Sequence, residues 1–346
     1  MARRMVRPVF VVGSPRSGTT LVQNVLCRDP SVYRLGRESR FLWHRLGGQE
    51  VTGTFPAVER IEEAYLSEVY RGERPWTRDD LLRWARRCAS QGTPPQYLDL
   101  PHDLIDEVAR ESRAEAAGPF AETMQTETAP FCLPPLDATF ATQTSGPVRV
   151  VDKDTGHCWR LPQLATAFPD AQFVFVVRDP LPAITSLIAG WRHPTWFFTY
   201  RMAEELAVHG YSDELPWGRN WWNFNLFPGY KEFTSASLAE LCAEQWSAAM
   251  RPVVEHGLPL VEQGRALFTT YEELVASPHT TLEMVSNFTG LDSSAVVGSG
   301  LDRTYMSMLP STWNPGISDA ALHTSADGAR STLAPVAHLL GLPDRH

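Results

Sequence analysis

The chain has 346 residues, 43% apolar and 21% charged, the balance of a soluble globular protein. No apolar run is long enough to span a membrane, the basic start leads into a polar loop rather than a cleavage site, and Cys27, Cys88, Cys132, Cys158 and Cys242 lack paired spacing, so a cytoplasmic protein without membrane attachment, disulfide framework or zinc site is expected. The net charge of −9 divides into +7 over residues 1–45 and −16 over the rest, which suits a small polyanionic ligand better than a nucleic acid.

In chain order, Val9–Val12 reads as a buried parallel strand that breaks at Gly13-Ser14-Pro15-Arg16-Ser17-Gly18-Thr19-Thr20 and resumes as an amphipathic helix through Leu21, Val22, Val25 and Leu26. A glycine-bearing turn at a helix N-terminus gathers backbone N–H groups into a phosphate cradle. The Gly13-to-Gly18 spacing is that of a P-loop, but Thr19 stands where the P-loop lysine belongs and Arg16 is the loop's cation. An ordinary βα turn is the plain alternative.

A short strand over 32–35 precedes Gly36-Arg37-Glu38-Ser39-Arg40, and helical spacing returns over 56–71, 78–90 and 101–117. Residues 118–147 read as an irregular connection. The strand Val148–Val151 ends in Asp152-Lys153-Asp154, and a helix over about 158–168 leads to the strongest strand, Gln172–Val177. That strand ends in Arg178-Asp179-Pro180, and the next helix carries Ser186. Helices over 238–256 and 278–288 flank a strand, Ala266–Thr270, that ends at Tyr271. The alternation predicts an α/β fold: a P-loop-like central parallel sheet flanked by helices, in one domain, with a helical insertion over about 50–147 and an aromatic-rich one over 191–236. Twelve of the forty residues 191–230 are aromatic without a regular face, which leaves open a lid, an acceptor-binding wall or a cluster under a long loop.

Ligands of such sheets bind beyond the carboxyl ends of the strands, where Glu38, Lys153, Arg178 and Tyr271 fall. Only two of the 31 basic residues are lysines, Lys153 and Lys231, so Lys153 is a candidate for a compact ammonium that a planar guanidinium cannot replace. Glu38 beside Arg37 and Arg40 also fits a surface ion pair, Arg178 a strand cap through Asp179, and Tyr271 core packing.

Taken together, GSPRSGTT, GRESR, VVDKDTGH and FVFVVRDPLPAITS resemble the 3′-phosphoadenosine 5′-phosphosulfate (PAPS)-dependent sulfotransferases, in particular the tyrosylprotein branch and its bacterial relatives. The resemblance is good over 8–45 and 148–190, looser over 265–312, and fails over 50–145 and 191–260. It implies that Arg16, Ser17, Gly18, Thr19 and Thr20, with Ser14 alongside, form a 5′-phosphosulfate loop. Arg178 and Ser186 would bind the 3′-phosphate with Tyr271 as a further cofactor contact, Glu38 would be the general base, Lys153 and Arg16 would stabilise the transition state, and Ser311 (with Thr312) would stand for a catalytic serine. His157 reads as a structural histidine or an acceptor contact, and stands next after Glu38 as a candidate base. Residues 313–330 lack the family's lysine near the 3′-phosphate, leaving Arg330 as its substitute. The cofactor is then PAPS, the product adenosine 3′,5′-bisphosphate, no metal is needed, and the partner is a small-molecule acceptor, with no nucleic acid or membrane; a homodimer is allowed for. The rivals are a P-loop-type kinase or NTPase, which would need a lysine at position 19, and a non-catalytic nucleotide-binding module.

Overall fold

A computed structural model describes residues 4–27, 29, 31–34, 39, 42–43, 46–48, 50–71, 147–192, 198–297 and 319–341. Strand β1 (Val9–Val12) leads into α1 (Thr19–Leu26) and β2 (Val32–Arg34), and a 3-10 turn at Glu50–Thr52 precedes α2 (Val58–Arg71). Next come β3 (Arg149–Lys153), α3 (His157–Ala167), β4 (Gln172–Val177), α4 (Pro180–Arg192) and the antiparallel pair β5 (Phe198–Arg201) and β6 (Trp221–Asn223). A 3-10 turn at Tyr230–Phe233 is followed by α5 (Leu238–Glu262), β7 (Ala266–Thr270), α6 (Tyr271–Ala276) and α7 (Pro278–Thr289). Then come α8 (Ser293–Val297), α9 (Asp319–Arg330) and a 3-10 segment, Ser331–Leu340. The helices expected over 78–90 and 101–117 lie outside the described residues, as do Glu38 and Ser311.

The central sheet is parallel throughout, in the order β2-β3-β1-β4-β7. The apolar runs VFVV and QFVFVV are buried along their whole length because both faces of the sheet are covered. Alternate residues divide between two layers. Val9, Val11, Val151, Val174 and Val176 pack with Val22, Val25 and Leu26 of α1 and with Leu274, Leu282 and Val285 of α6 and α7. On the other face Phe10, Phe173 and Phe175 pack with residues of α3, α4 and α5. Among the described residues no helix is long and apolar enough to cross a membrane.

From β1 the chain turns toward β2, and from β4 toward β7, so the crevice between the carboxyl ends of β1 and β4 is the topological switch point. Val12 pairs with Phe175 there, and the register on the other side sets Val11 against Lys153.

Strand β3 and helix α5 run past their expected ends, and the β5–β6 pair lies in a stretch without predicted strands. Strand β3 runs through Lys153, so the lysine is the strand's last residue rather than one beyond it. Helix α5 continues six residues past the expected end at 256, through Gly257 and Pro259. A β-carbon at Gly257 would lie 2.8 Å from Phe175 Cε2, so the glycine lets α5 approach the sheet closely; packing there outweighs the helix-breaking tendency of the residues. In the aromatic-rich stretch, Trp191, Tyr211, Trp217, Trp222, Phe224 and Phe227 join the main core. Trp191 Nε1 donates to Gln245 Oε1 at 3.0 Å, Trp222 Nε1 donates to the Asn225 carbonyl at 3.2 Å, and Gln245 Nε2 donates to the carbonyls of Asn223 and Asn225.

Candidate active site

The loop from Gly13 to Gly18 is held by three close approaches. Gly13 lies against β4, where a β-carbon would come within 2.4 Å of the Val176 carbonyl oxygen. The buried hydroxyls of Ser14 and Ser17 share a hydrogen bond of 2.6 Å across the turn. Gly18 caps α1 in the left-handed region (φ 88°), with the Tyr271 ring 2.6 Å from the position of an absent β-carbon. Arg16 also adopts a left-handed backbone, φ 69°, which costs a residue with a side chain roughly 1–3 kcal/mol and marks a conformation imposed by its surroundings.

Those surroundings come from the neighbouring strand. Arg178, one residue past β4, donates from Nη1 to the Arg16 carbonyl at 2.9 Å, while its guanidinium lies 4.4 Å from the centre of the Tyr271 ring. Arg16 in turn donates from Nε to the Ser186 hydroxyl on α4 at 3.0 Å. The structure therefore brings Arg16, Gly18, Arg178, Ser186 and Tyr271 together at the switch point, although 255 residues separate the ends of this set. Arg178 is buried and its Nε has no hydrogen-bond partner among the described residues. Burial lowers its pKa from the ordinary value against the raising influence of Tyr271 and Glu272, but a guanidinium remains a cation throughout the physiological range. A desolvated cation with an unused donor is a strong anion ligand.

Asp179 does not cap β4 through Arg178. Its carboxylate accepts both oxygens' bonds from Arg330 Nη2 at 3.1 Å and also takes the Leu181 amide at 2.9 Å, at the start of α4. Arg330 is thus drawn from α9 to the strand end that carries Arg178, where it serves Asp179 and Asp327. An NTPase would want such a carboxylate for its magnesium ion; here it is occupied by an arginine and a helix cap.

Lys153 is 5% exposed at the end of β3, whereas Lys231 is exposed in a 3-10 turn. His157 is fully buried with Nε2 at 2.8 Å from Asp152 Oδ2, so it faces the interior rather than a ligand. A groove of about 780 Å³ lies elsewhere, between α5 and the α9 region, and includes none of the loop or strand-end residues.

Solved structures similar in course include the sulfotransferase domain of the Synechococcus PCC 7002 olefin synthase, at 18% identity and a TM-score of 0.43 over 96% of both chains. Sulfotransferase STF9 from Mycobacterium avium follows at 17% and 0.43, over 98% of this chain and 78% of that one. A sulfotransferase from Alicyclobacillus acidocaldarius shows 13% and 0.43, over 98% of each. No curated protein sequence matches the chain. The family model described as "Sulfotransferase family" matches residues 8–223, more than half of the chain and all of the segments that build the loop, β3, β4 and α4; the chain belongs to the sulfotransferase family.

Proposed function

We propose that this sulfotransferase takes its sulfuryl group from PAPS and delivers it to a hydroxyl or amine of a small-molecule acceptor, releasing adenosine 3′,5′-bisphosphate. The observation that carries the reading is the convergence of Arg16, Arg178, Ser186 and Tyr271 on the phosphate loop. A buried guanidinium with an unused donor, a glycine-capped helix start and a hydroxyl engaged by a second guanidinium suit a ligand with two separate phosphate groups.

When bound, the nucleotide supplies an activated sulfuryl group. Residues 16–20 and Ser14 would hold its 5′-phosphosulfate, Arg178 and Ser186 its 3′-phosphate, with Tyr271 beside both. Transfer is in-line: the bond from sulfur to the phosphate oxygen breaks as the bond to the acceptor forms, and the acceptor's proton passes to the Glu38 carboxylate. Lys153 and Arg16 place positive charge where negative charge builds, with Ser311 as a further donor. The sulfuryl group bears less charge than a γ-phosphate, so these cations and the loop amides suffice without a metal.

Calorimetry tests the donor assignment. Adenosine 3′,5′-bisphosphate should bind far more tightly than AMP or ATP, and chelation of divalent cations should leave transfer from PAPS unchanged. Equal affinity for AMP would overturn the assignment. Glu38→Gln should keep nucleotide affinity while lowering turnover by roughly 10²–10⁴-fold; near-normal turnover would place the base elsewhere.

A further inference from the structure

Behind the edge that carries Lys153 lies a polar cluster enclosed by aromatic rings. Asp152 and His157 are fully buried, as are Tyr65 of α2 and Ser39, the residue that follows Glu38 in the sequence. Asp152 Oδ2 accepts from the Tyr65 hydroxyl at 2.7 Å and from His157 Nε2 at 2.8 Å. Ser39 Oγ lies 3.3 Å from the Tyr65 oxygen and 3.4 Å from His157 Nε2. Phe10 stands edge-on to both Tyr65 and His157, Trp43 edge-on to His157, and Phe168 edge-on to Tyr65.

Stability does not account for this cluster. A buried carboxylate costs free energy unless its partners satisfy it fully, and an apolar set of the same volume is often as stable or more so. Here the satisfaction is incomplete: Asp152 Oδ1 and His157 Nδ1 have no partner among the described residues.

What the cluster does accomplish is mechanical. Asp152 and Lys153 are successive strand residues, so their side chains leave β3 on opposite faces, and pinning one sets the direction of the other. We propose that the Tyr65–Asp152–His157–Ser39 network is a positioning device for the transfer step, locking the end of β3 that bears Lys153 to the segment that follows β2. Its members touch no reactant; they act through Lys153 and through Ser39, which follows Glu38 in the sequence. The proposal rests on the sulfuryl-transfer reading above.

The two lysines make the test direct, because uniform [15N]lysine labelling gives only two backbone amide signals, Lys153 and Lys231. Tyr65→Phe removes one hydroxyl and keeps the ring. Tyr211→Phe is the control: its hydroxyl donates to the Trp221 carbonyl at 2.7 Å, at the start of β6. Tyr65→Phe should bind adenosine 3′,5′-bisphosphate within a few-fold of wild type, exchange the Lys153 amide roughly tenfold faster, and slow the consumption of PAPS with a simple phenol as acceptor by a similar factor. Tyr211→Phe should lower the melting temperature and change none of these. If Tyr65→Phe does not fold, Asp152→Asn carries the same readings. Lys153 exchange and PAPS consumption at wild-type values in the network variant would overturn the proposal. Wild-type protein that fails to bind adenosine 3′,5′-bisphosphate is a different result, one that overturns the transfer reading and the network's role with it.

Discussion

Arg178 serves two neighbours at once, the Arg16 carbonyl and the Tyr271 ring, and retains an unused Nε. Replacing it by alanine therefore removes a loop support along with a phosphate ligand, and adenosine 3′,5′-bisphosphate binding should weaken by about 2–5 kcal/mol. Ser186 separates the two contributions, because its hydroxyl meets Arg16 Nε without touching the loop backbone. Ser186→Ala should weaken that nucleotide by about 1 kcal/mol and leave AMP affinity unchanged, as read by calorimetry. An equal loss for both nucleotides would remove Ser186 from the 3′-phosphate site. Lys153 poses the companion question of shape. It is buried, and a guanidinium in its place is longer, planar and unable to put a compact charge at the same point. Lys153→Arg should cut the transfer rate constant by about 10²-fold, the cost of a misplaced group, with nucleotide affinity within a few-fold of wild type. Lys231→Arg, in an exposed turn, should do nothing. Comparable mild effects at both lysines would mark Lys153 as a structural charge.

Among the elements, α1 and α6 meet through Gly18 and Tyr271. Alanine at Gly18 incurs a left-handed backbone and a collision with the Tyr271 ring, which also carries Arg178. Gly18→Ala should thus cost less stability in a Tyr271→Ala background than alone, and denaturant midpoints for the four proteins give the coupling. Additive losses would mean that the ring moves aside freely. This junction was half readable in the sequence. The apolar, β-branched runs fix β1, β4 and β7 residue for residue, and the loop's small residues mark the cradle, since both signals are local. The contact of Tyr271 with Gly18 is not local, and neither is the bond from Tyr65 to Asp152, 87 residues along the chain. Tyr65 sits in a helical pattern where a tyrosine on the buried face signals packing and nothing more. Asp152 was visible only as part of an acidic-basic-acidic run. The β5–β6 pair escaped for another reason: its strands are short, far apart in sequence and interrupted by a bulge, so no alternation survives.

On the scale of the whole molecule, the two layers over the sheet differ in chemistry. The valine-rich layer under α1, α6 and α7 is apolar, whereas the phenylalanine-rich layer also encloses Cys158, Cys242, Tyr65 and Tyr211. Burial raises all four acids: Cys158 from 9.0 to about 12, Cys242 well above its ordinary thiol value, and Tyr65 and Tyr211 above the ordinary phenol value, Tyr65 with the Asp152 charge adding to the effect. At pH 8 the folded and unfolded chains both keep these protons, so the contribution to stability is complete. Above pH 9 the unfolded chain releases thiol protons that the folded chain still holds, and above pH 10 phenol protons follow; the unfolded state then binds fewer protons and stability falls as pH rises. Each group ionised only in the unfolded chain steepens the decline by about 1.4 kcal/mol per pH unit. Denaturant unfolding between pH 8 and pH 11 should therefore show a loss that begins near the thiol range and steepens beyond the phenol range. Cys158→Ala should flatten its first part. A midpoint unchanged up to pH 11 would mean that water reaches these groups in the folded protein, and that the layer supporting Lys153 is less closed than its packing requires.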